Sequence, residues 1–356
     1  MTSSKKPHIP SYNALTRYAK MLGFGEIHTK IDNKTGLHAI IAVHNTKLGP
    51  ALGGCRFYSY KAPELALKDA LRLAYGMTLK AAACRLPQGG AKAVILKPKN
   101  LTDRAAIFRS FGDFVNELSG RYITAVDVGS TVEDMTTIYE RTPFVSGAKG
   151  PGRVDEDPSH STARGIFRAI QAAVKFKFKK NDLSNIHVVV QGVGHAGYHL
   201  VKDLANAGAK VTISDINQNA VKKCVDEFGV ATVAPDQVET IPCDIFAPCA
   251  MGGTITQDFI HHTHAKIIAG SANNQLAHHG NALTMQTRGV LYLPDFLINS
   301  GGLINASMTY IYQDLKIAYE KVDKIYDVTM TMLERAEKSG KTPAMIAEEM
   351  AFERLR

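Results

Sequence analysis

Residues 187–197 read His187-Val188-Val189-Val190-Gln191-Gly192-Val193-Gly194-His195-Ala196-Gly197. The aliphatic run predicts a buried strand, and the three glycines that follow have the G-x-G-x-x-G spacing of a phosphate-binding turn. We expect a helix over 198–207 and a second strand over 210–214, which ends at Asp215. This order of strand, glycine turn, helix, strand and acid predicts a Rossmann-type domain that binds a dinucleotide.

The glycines and the acid each have a physical reason in such a site. Gly192 allows the tight turn, Gly194 lets the backbone approach a pyrophosphate, and Gly197 lets helix and strand pack closely. Asp215 can accept hydrogen bonds from both ribose hydroxyls, whereas it would repel a 2′-phosphate, and no arginine follows at 216–218. The expected cofactor is therefore NAD; the alternative is a glycine turn without a ligand. The residues expected to hold NAD here are Gly192, Val193, Gly194, His195, Ala196, Gly197 and Asp215.

A second α/β pattern precedes this segment. Strands are expected at 37–47, 92–97 and 122–126, and helices from Pro63 to Lys80 and over 103–119. Residues 143–160 are rich in proline, glycine and charge, which is typical of a linker or hinge. At 356 residues, the chain exceeds one ordinary core, so we expect a two-domain α/β protein.

Composition excludes several classes of protein. The net charge of +9 comes mostly from single basic residues interleaved with acids, so no nucleic-acid partner is expected. No apolar run is long enough to span a membrane, and the first residues lack an apolar signal segment. Five scattered cysteines indicate reduced thiols and a cytoplasmic location. The histidine clusters lack a metal-binding pattern, so no metal is expected.

Two lysines, Lys80 and Lys92, stand in a segment with few other polar side chains. Two ammonium groups that meet in a partly dry pocket repel, and both repulsion and burial lower the pKa of a lysine. One lysine could then act as a base near neutral pH while the other holds an anionic substrate. The alternative is that Lys80 ends a helix and Lys92 extends from a strand to solvent. Asp127, after the strand 122–126, is placed where open sheets often carry chemistry.

The chain resembles the Glu/Leu/Phe/Val dehydrogenase family, and within it the leucine enzymes. The similarity runs in order from about residue 15 to the C-terminus, and the segments that carry it are 49–56, 76–80, 89–92, 127–129, 191–197, 243–253, 269–276 and 298–305. The resemblance implies reversible oxidative deamination of an L-amino acid to its 2-oxo acid, with NAD as hydride acceptor. It also implies that Lys80 holds the substrate carboxylate, Lys92 activates water, and Asp127 exchanges protons with the amino group. Asn299 would fix the substrate, and Thr162, Ala250 and Asn273 would line the nicotinamide side.

The substrate side chain is the least determined feature. Glutamate enzymes of the family place a lysine at the position of Leu52 and a serine at that of Ala306, so an apolar substrate is implied. Ala125 resembles the leucine enzymes and Leu303 the phenylalanine enzymes, and Gly53 belongs to the same expected site. We expect a branched-chain amino acid, leucine first, with phenylalanine or glutamate oxidation or an inactive NAD-binding protein as alternatives. Cys55, Val126 and Arg164 depart from the leucine-enzyme pattern.

The resemblance also implies the arrangement of the domains. Residues 1–145 would form the catalytic and substrate domain, completed by the C-terminal helix 330–356, and 146–329 the Rossmann domain, with a cleft separating the two. A homo-oligomer, either a dimer or an octamer, is expected.

Overall fold

The computed structural model describes residues 12–154 and 157–356. It divides the chain into two compact α/β units: the residues up to Thr78 together with Gln88–Lys149, and Leu79–Pro87 together with Gly150–Arg356. The predicted fold class, a two-domain α/β protein, is confirmed. The first residues of the chain and part of the expected hinge at 143–160 lie outside the described residues. Among the described helices, none combines the length and apolar character that a bilayer span requires.

The first unit is built on a five-stranded mixed sheet with the strand order β1-β2-β4-β3-β5. Its strands are β1 (Glu26–Asp32), β2 (Leu37–Asn45), β3 (Ala51–Tyr58), β4 (Gly89–Leu96) and β5 (Tyr122–Val126). Its helices are α1 (Tyr12–Met21), α2 (Pro63–Ala83), α3 (Arg104–Glu117) and α4 (Val132–Tyr139), and α2 continues into the second unit. Alternate residues of the central strands pack on opposite faces: Ile41 and Ala93 join a core with α3, whereas Ile40 and Val94 pack against α2.

The second unit is built on a six-stranded parallel sheet with the order β11-β10-β9-β6-β7-β8. Its strands are β6 (His187–Gln191), β7 (Lys210–Ser214), β8 (Ala231–Thr232), β9 (Ile245–Pro248), β10 (Ile267–Ile268) and β11 (Leu291–Tyr292). Its helices are α5 (Pro158–Phe178), α6 (His195–Asn206), α7 (Gln218–Phe228), α8 (Gln257–His262), α9 (Asn281–Thr287), α10 (Asp295–Ile298), α11 (Gly301–Tyr312), α12 (Leu315–Asp323), α13 (Ile325–Ser339) and α14 (Pro343–Leu355). Parallel strands joined by helices are the expected Rossmann-type architecture.

The structure divides the chain differently from the expected boundaries. The C-terminal segment 330–356, expected to complete the first domain, groups with the second unit, because α13 packs against α5 and α14 packs against α13. The boundary falls at Lys149 rather than at residue 145, and Leu79–Pro87 belongs to the second unit.

Candidate active site

Lys92 and Asp127 form a buried ion pair in the first unit. Lys92 is only 5% exposed, and its Nζ lies 2.9 Å from Asp127 Oδ2. Lys92 shares with Val94 the face of the sheet that packs against α2, since residues two apart on a strand point to the same side. Asp127 directly follows β5, and β3 lies between β4 and β5. The two side chains therefore meet across an intervening strand.

Gly54 on β3 makes this contact possible. A Cβ atom at position 54 would lie 2.7 Å from the Cβ of Asp127 and 2.8 Å from the carbonyl oxygen of Val126. Any side chain here would displace the carboxylate from Lys92. The neighbouring Gly53 is equally constrained, because a Cβ there would collide with the carbonyl group of Ala91.

Arg56 extends the ion pair into a chain of charged groups, and sequence reasoning did not single it out. Its Nε donates to Asp127 Oδ2 at 3.1 Å, and its Nη1 donates to Asp69 Oδ2 at 2.7 Å. Burial raises the pKa of Asp127, but the Lys92 ammonium and the Arg56 guanidinium outweigh burial, so the pKa lies below its usual value. An arginine on a largely buried strand is the signal that could have found it, once β3 was recognised as a strand.

Lys80 lies in the second unit, in the last turn of α2. Its Nζ donates to Asn299 Oδ1 at 2.7 Å and to Asn273 Oδ1 at 3.2 Å. Asn299 is 6% exposed, and its Nδ2 donates to the carbonyl oxygen of Ser271 at 3.1 Å and to Asn273 Oδ1 at 2.9 Å. The structure thus brings together three predicted site residues. Within its own unit, Lys92 contacts a carboxylate oxygen, and Lys80 contacts two amide oxygens.

The glycine turn after β6 has the geometry of a dinucleotide loop. Gly192 has φ +98°, and a Cβ there would lie 2.7 Å from the backbone nitrogen of Ala250, so only glycine fits. Gly194 precedes the first residue of α6, with no side-chain cap on the helix and no atom within 4 Å of its Cβ position. Asp215 Oδ2 accepts from the Val193 N–H at 2.7 Å, and Oδ1 accepts from the Asn217 N–H at 2.8 Å. An open helix N-terminus beside a strand-end carboxylate fits a pyrophosphate and its ribose.

Two family models match the chain over both units. Residues 24–144 match the Glu/Leu/Phe/Val dehydrogenase dimerisation domain, and residues 216–356 match the glutamate/leucine/phenylalanine/valine dehydrogenase model. The chain belongs to the Glu/Leu/Phe/Val dehydrogenase family. It is an NAD(P)-dependent amino acid dehydrogenase, as the sequence predicts.

Relatives of this dehydrogenase differ in the amino acid for which they are named. A leucine dehydrogenase from Bacillus cereus is 43% identical over 324 residues, which is 91% of this chain and 88% of the relative. A valine dehydrogenase from Streptomyces virginiae is 37% identical over 91% of each chain. The crystal structure of L-tryptophan dehydrogenase from Nostoc punctiforme has a TM-score of 0.83 at 36% identity, covering 95% of this chain and 98% of that chain.

The predicted side-chain pocket residues of the dehydrogenase fall into two pairs. In the first unit, Leu52 is 1% exposed and Ala125 lies beside Gly54 in the pairing of β3 with β5. Leu52 and Lys92 share one face of the sheet, because Leu52 pairs with Gly90, two residues before Lys92. In the second unit, Leu303 and Ala306 are both half-buried and lie three residues apart, on one side of α11.

Thr162, expected on the nicotinamide side, sits where α5 and α11 approach closely. Its hydroxyl donates to the carbonyl oxygen of Pro158 at 2.9 Å, and a Cβ at Gly302 would lie 2.8 Å from it. Any residue with a Cβ atom at position 302 would therefore displace the Thr162 hydroxyl.

The three departures from the leucine-enzyme pattern have structural roles in this dehydrogenase. Arg164 forms a two-point ion pair with Asp323, with both N···O distances at 2.8 Å, and so joins α5 to α12. Cys55 is fully buried in the core beneath α3, where burial raises the pKa of its thiol well above the usual value. Val126 packs against the same core. None of the three replaces a proposed catalytic group.

Proposed function

We propose that this dehydrogenase converts a branched-chain L-amino acid, water and NAD⁺ reversibly into the 2-oxo acid, ammonium, NADH and a proton. Leucine is the favoured substrate, and valine and isoleucine are also accepted. The observation that carries the proposal is the buried Lys92–Asp127 pair, because a lysine and a carboxylate in direct contact can pass a proton without an intervening water.

Lys80 is proposed to hold the α-carboxylate of the substrate. The amide oxygens of Asn299 and Asn273 fix the direction of its ammonium group, since each accepts one of its hydrogen bonds. Asn299 is itself held by the carbonyl oxygen of Ser271. A charged donor that is positioned in advance loses little side-chain entropy when an anion arrives.

Lys92 is proposed to activate the water that attacks the iminium carbon, and Asp127 to exchange protons with the substrate amino group. Lys92 must hand its own proton to a neighbour before it can act as a base, and Asp127 Oδ2 is 2.9 Å away. Arg56 keeps Asp127 in its carboxylate form by lowering its pKa together with Lys92. The carboxylate is thus charged in the resting enzyme and can accept that proton.

The cofactor proposal is NAD rather than NADP. NAD, when bound, accepts the hydride from the substrate Cα. The pyrophosphate would lie at the turn Gly192–Gly197 and the N-terminus of α6, and the ribose hydroxyls at Asp215. Thr162, Ala250 and Asn273 would line the nicotinamide side. The Asp215 carboxylate disfavours a 2′-phosphate because both groups are negatively charged.

The substrate preference follows from the apolar residues at the pocket positions. The resemblance implies that glutamate enzymes bind the substrate γ-carboxylate with the residues at the positions of Leu52 and Ala306. Neither residue of this chain can pair with a carboxylate, and an unpaired buried polar group costs roughly 2–7 kcal/mol. A second candidate is an aromatic amino acid. It is favoured by Leu303, which resembles the phenylalanine enzymes, and by the similarity to a tryptophan dehydrogenase.

The test is NADH formation measured with leucine, valine, isoleucine, phenylalanine, tryptophan and glutamate, each with NAD and with NADP. The proposal requires the highest kcat/KM with leucine and NAD. Higher turnover of an aromatic substrate would establish the second candidate, and higher turnover of glutamate would contradict the Leu52 argument. Cofactor binding without turnover of any amino acid would show an inactive protein.

A homo-oligomer, a dimer or an octamer, is proposed because residues 24–144 match a family model described as a dimerisation domain. A cytoplasmic location is proposed because all five cysteines are free thiols. Light scattering coupled to size-exclusion chromatography would measure the mass of the assembly.

A further inference from the structure

Two adjoining cavities in the second unit are lined by an excess of cations. One cavity has a volume of ≈ 310 Å³ and is lined in part by Arg85, Lys321, Lys324 and Asp327. The other has a volume of ≈ 420 Å³ and is lined in part by Arg85, Arg335, Glu353 and Arg354. Because Arg85 lines both, we treat the two as one site, the Arg85 pocket.

The acids of the Arg85 pocket neutralise only two of its cations. Lys324 Nζ lies 3.2 Å from Asp327 Oδ2, and Arg335 Nη1 donates to Glu353 Oε2 at 2.9 Å. Over residues 12–154 and 157–356, no carboxylate lies within ion-pair distance of Arg85, Lys321 or Arg354. Arg354 donates instead to the carbonyl oxygen of Leu86 at 3.1 Å, which fixes its guanidinium next to residue 85. The walls of the pocket therefore carry a net charge of +3.

The positive charges of Arg85, Lys321 and Arg354 lie close enough together to repel. Burial and the neighbouring guanidinium groups of Arg354 and Arg85 lower the pKa of Lys321. Burial and Arg85 likewise lower the pKa of Arg354. Arg85 itself has φ +54°, a left-handed conformation that glycine adopts at lower cost than any residue with a side chain. A ligand of opposite charge would offset the repulsion that the fold leaves uncompensated.

We propose that the Arg85 pocket binds a phosphate oxyanion that carries at least two negative charges. Two guanidinium groups and one ammonium group match the several oxygens of a phosphate better than the two oxygens of a carboxylate. A monocarboxylate would leave two of the three cations uncompensated. The ligand is either a free oxyanion or the phosphate moiety of a nucleotide, because both present the same chemistry to the pocket.

The site is distinct from the dinucleotide loop. The Arg85 pocket is formed by the end of α2 and the segment that follows it, together with α12, α13 and α14, whereas the glycine turn Gly192–Gly197 runs from the end of β6 into the start of α6. A phosphate bound at the loop would not contact Arg85 or Lys321, so variants at these two positions separate the two sites.

The experiment is isothermal titration calorimetry of the full chain with pyrophosphate, inorganic phosphate and ADP. The ionic strength is kept constant because salt screens the attraction between the cations of the pocket and the anion. Arg85→Gly removes the guanidinium while suiting the left-handed backbone, so the variant is expected to fold. Lys321→Ala removes the ammonium, and Lys338→Ala is the control, since it removes one exposed positive charge from α13 outside the pocket.

Arg85→Gly and Lys321→Ala should each weaken binding about tenfold or more, and Lys338→Ala should leave it unchanged. Comparable affinity for pyrophosphate and ADP would indicate a free oxyanion, and a clear preference for ADP would indicate a nucleotide. Absence of binding by all three anions would overturn the proposal, as would binding that survives Arg85→Gly and Lys321→Ala or falls equally in Lys338→Ala. Thermal unfolding of each variant would verify that it is folded.

Discussion

Replacement of Gly54 by alanine separates the geometry of the Lys92–Asp127 pair from its chemistry, because both reacting groups remain. The added Cβ would lie 2.7 Å from the Cβ of Asp127, whereas ordinary contacts begin at 3.4 Å. Asp127 must therefore retreat by about 0.7 Å. If the displacement is along the pair, the Nζ–Oδ2 distance of 2.9 Å grows to about 3.6 Å, which is no longer a hydrogen bond.

The expected losses follow from this displacement. A misplacement of about 1 Å at a reacting group costs on the order of 100-fold in rate, so kcat should fall about 10- to 100-fold. Overpacking of the buried sheet should lower the free energy of unfolding by about 1–3 kcal/mol. The measurements are kcat for leucine with NAD at saturation and urea unfolding of the same preparations.

Gly76→Ala is the matched control. It adds the same single carbon within α2, where no atom lies within 4 Å of the Cβ position. Alanine is the better helix former by about 0.5–1 kcal/mol, so this variant should keep its kcat and gain slightly in stability. A folded Gly54→Ala enzyme with wild-type kcat would refute the inference that the Lys92–Asp127 contact requires a residue without a Cβ atom at position 54.

Three further predictions test the separate roles. Lys92→Ala should lower kcat by orders of magnitude, whereas Lys80→Ala should mainly raise KM for the amino acid; equal KM changes with kcat intact in both would contradict this division. Arg56→Gln removes a cation that lowers the pKa of Asp127, so that carboxylate should protonate at a higher pH. The acid limb of the plot of kcat/KM against pH should then shift to higher pH. An acid limb at the wild-type pH would count against a catalytic role of Asp127. Asp215→Ser should lower the ratio of kcat/KM with NAD to that with NADP, and an unchanged ratio would show that the acid does not select the cofactor.

The second unit was the more predictable part of the fold. Its expected strands at His187–Gln191 and Lys210–Ser214 are both present, because each is a short aliphatic run next to a turn signal. Breaks divide the helices near the C-terminus. The helix α13 ends before Gly340, and α14 begins at Pro343. Between α11 and α12, Gln313, with φ +51°, ends one helix, and Asp314 caps the next through its side chain.

In the first unit, the strand β3, which lies between β4 and β5, was not predicted from the sequence. β3 contains Gly53 and Gly54, and glycine normally weakens a strand, so residues 51–58 carried no strand signal. The same two glycines are required because neighbouring backbone and the Asp127 side chain approach too closely for any Cβ. The two glycines that weaken the strand signal of β3 are therefore the residues that leave room for Asp127. Because β3 was not predicted, Arg56 was not recognised as an arginine on a largely buried strand.

The two lysines show what residue spacing can and cannot establish. The segment with few polar side chains drew attention to both lysines, but their neighbours are set by contacts far along the chain: Lys80 donates to side chains 193 and 219 residues away. Lys92 meets Asp127 only because the sheet order places β3, with its glycine, between β4 and β5. From the segment alone, the nearest candidate partner of each lysine is the other lysine. The structure places a carboxylate oxygen beside Lys92 and two amide oxygens beside Lys80, each within its own unit. Proton transfer from Lys92 to Asp127 therefore depends on how strongly Arg56 holds that carboxylate.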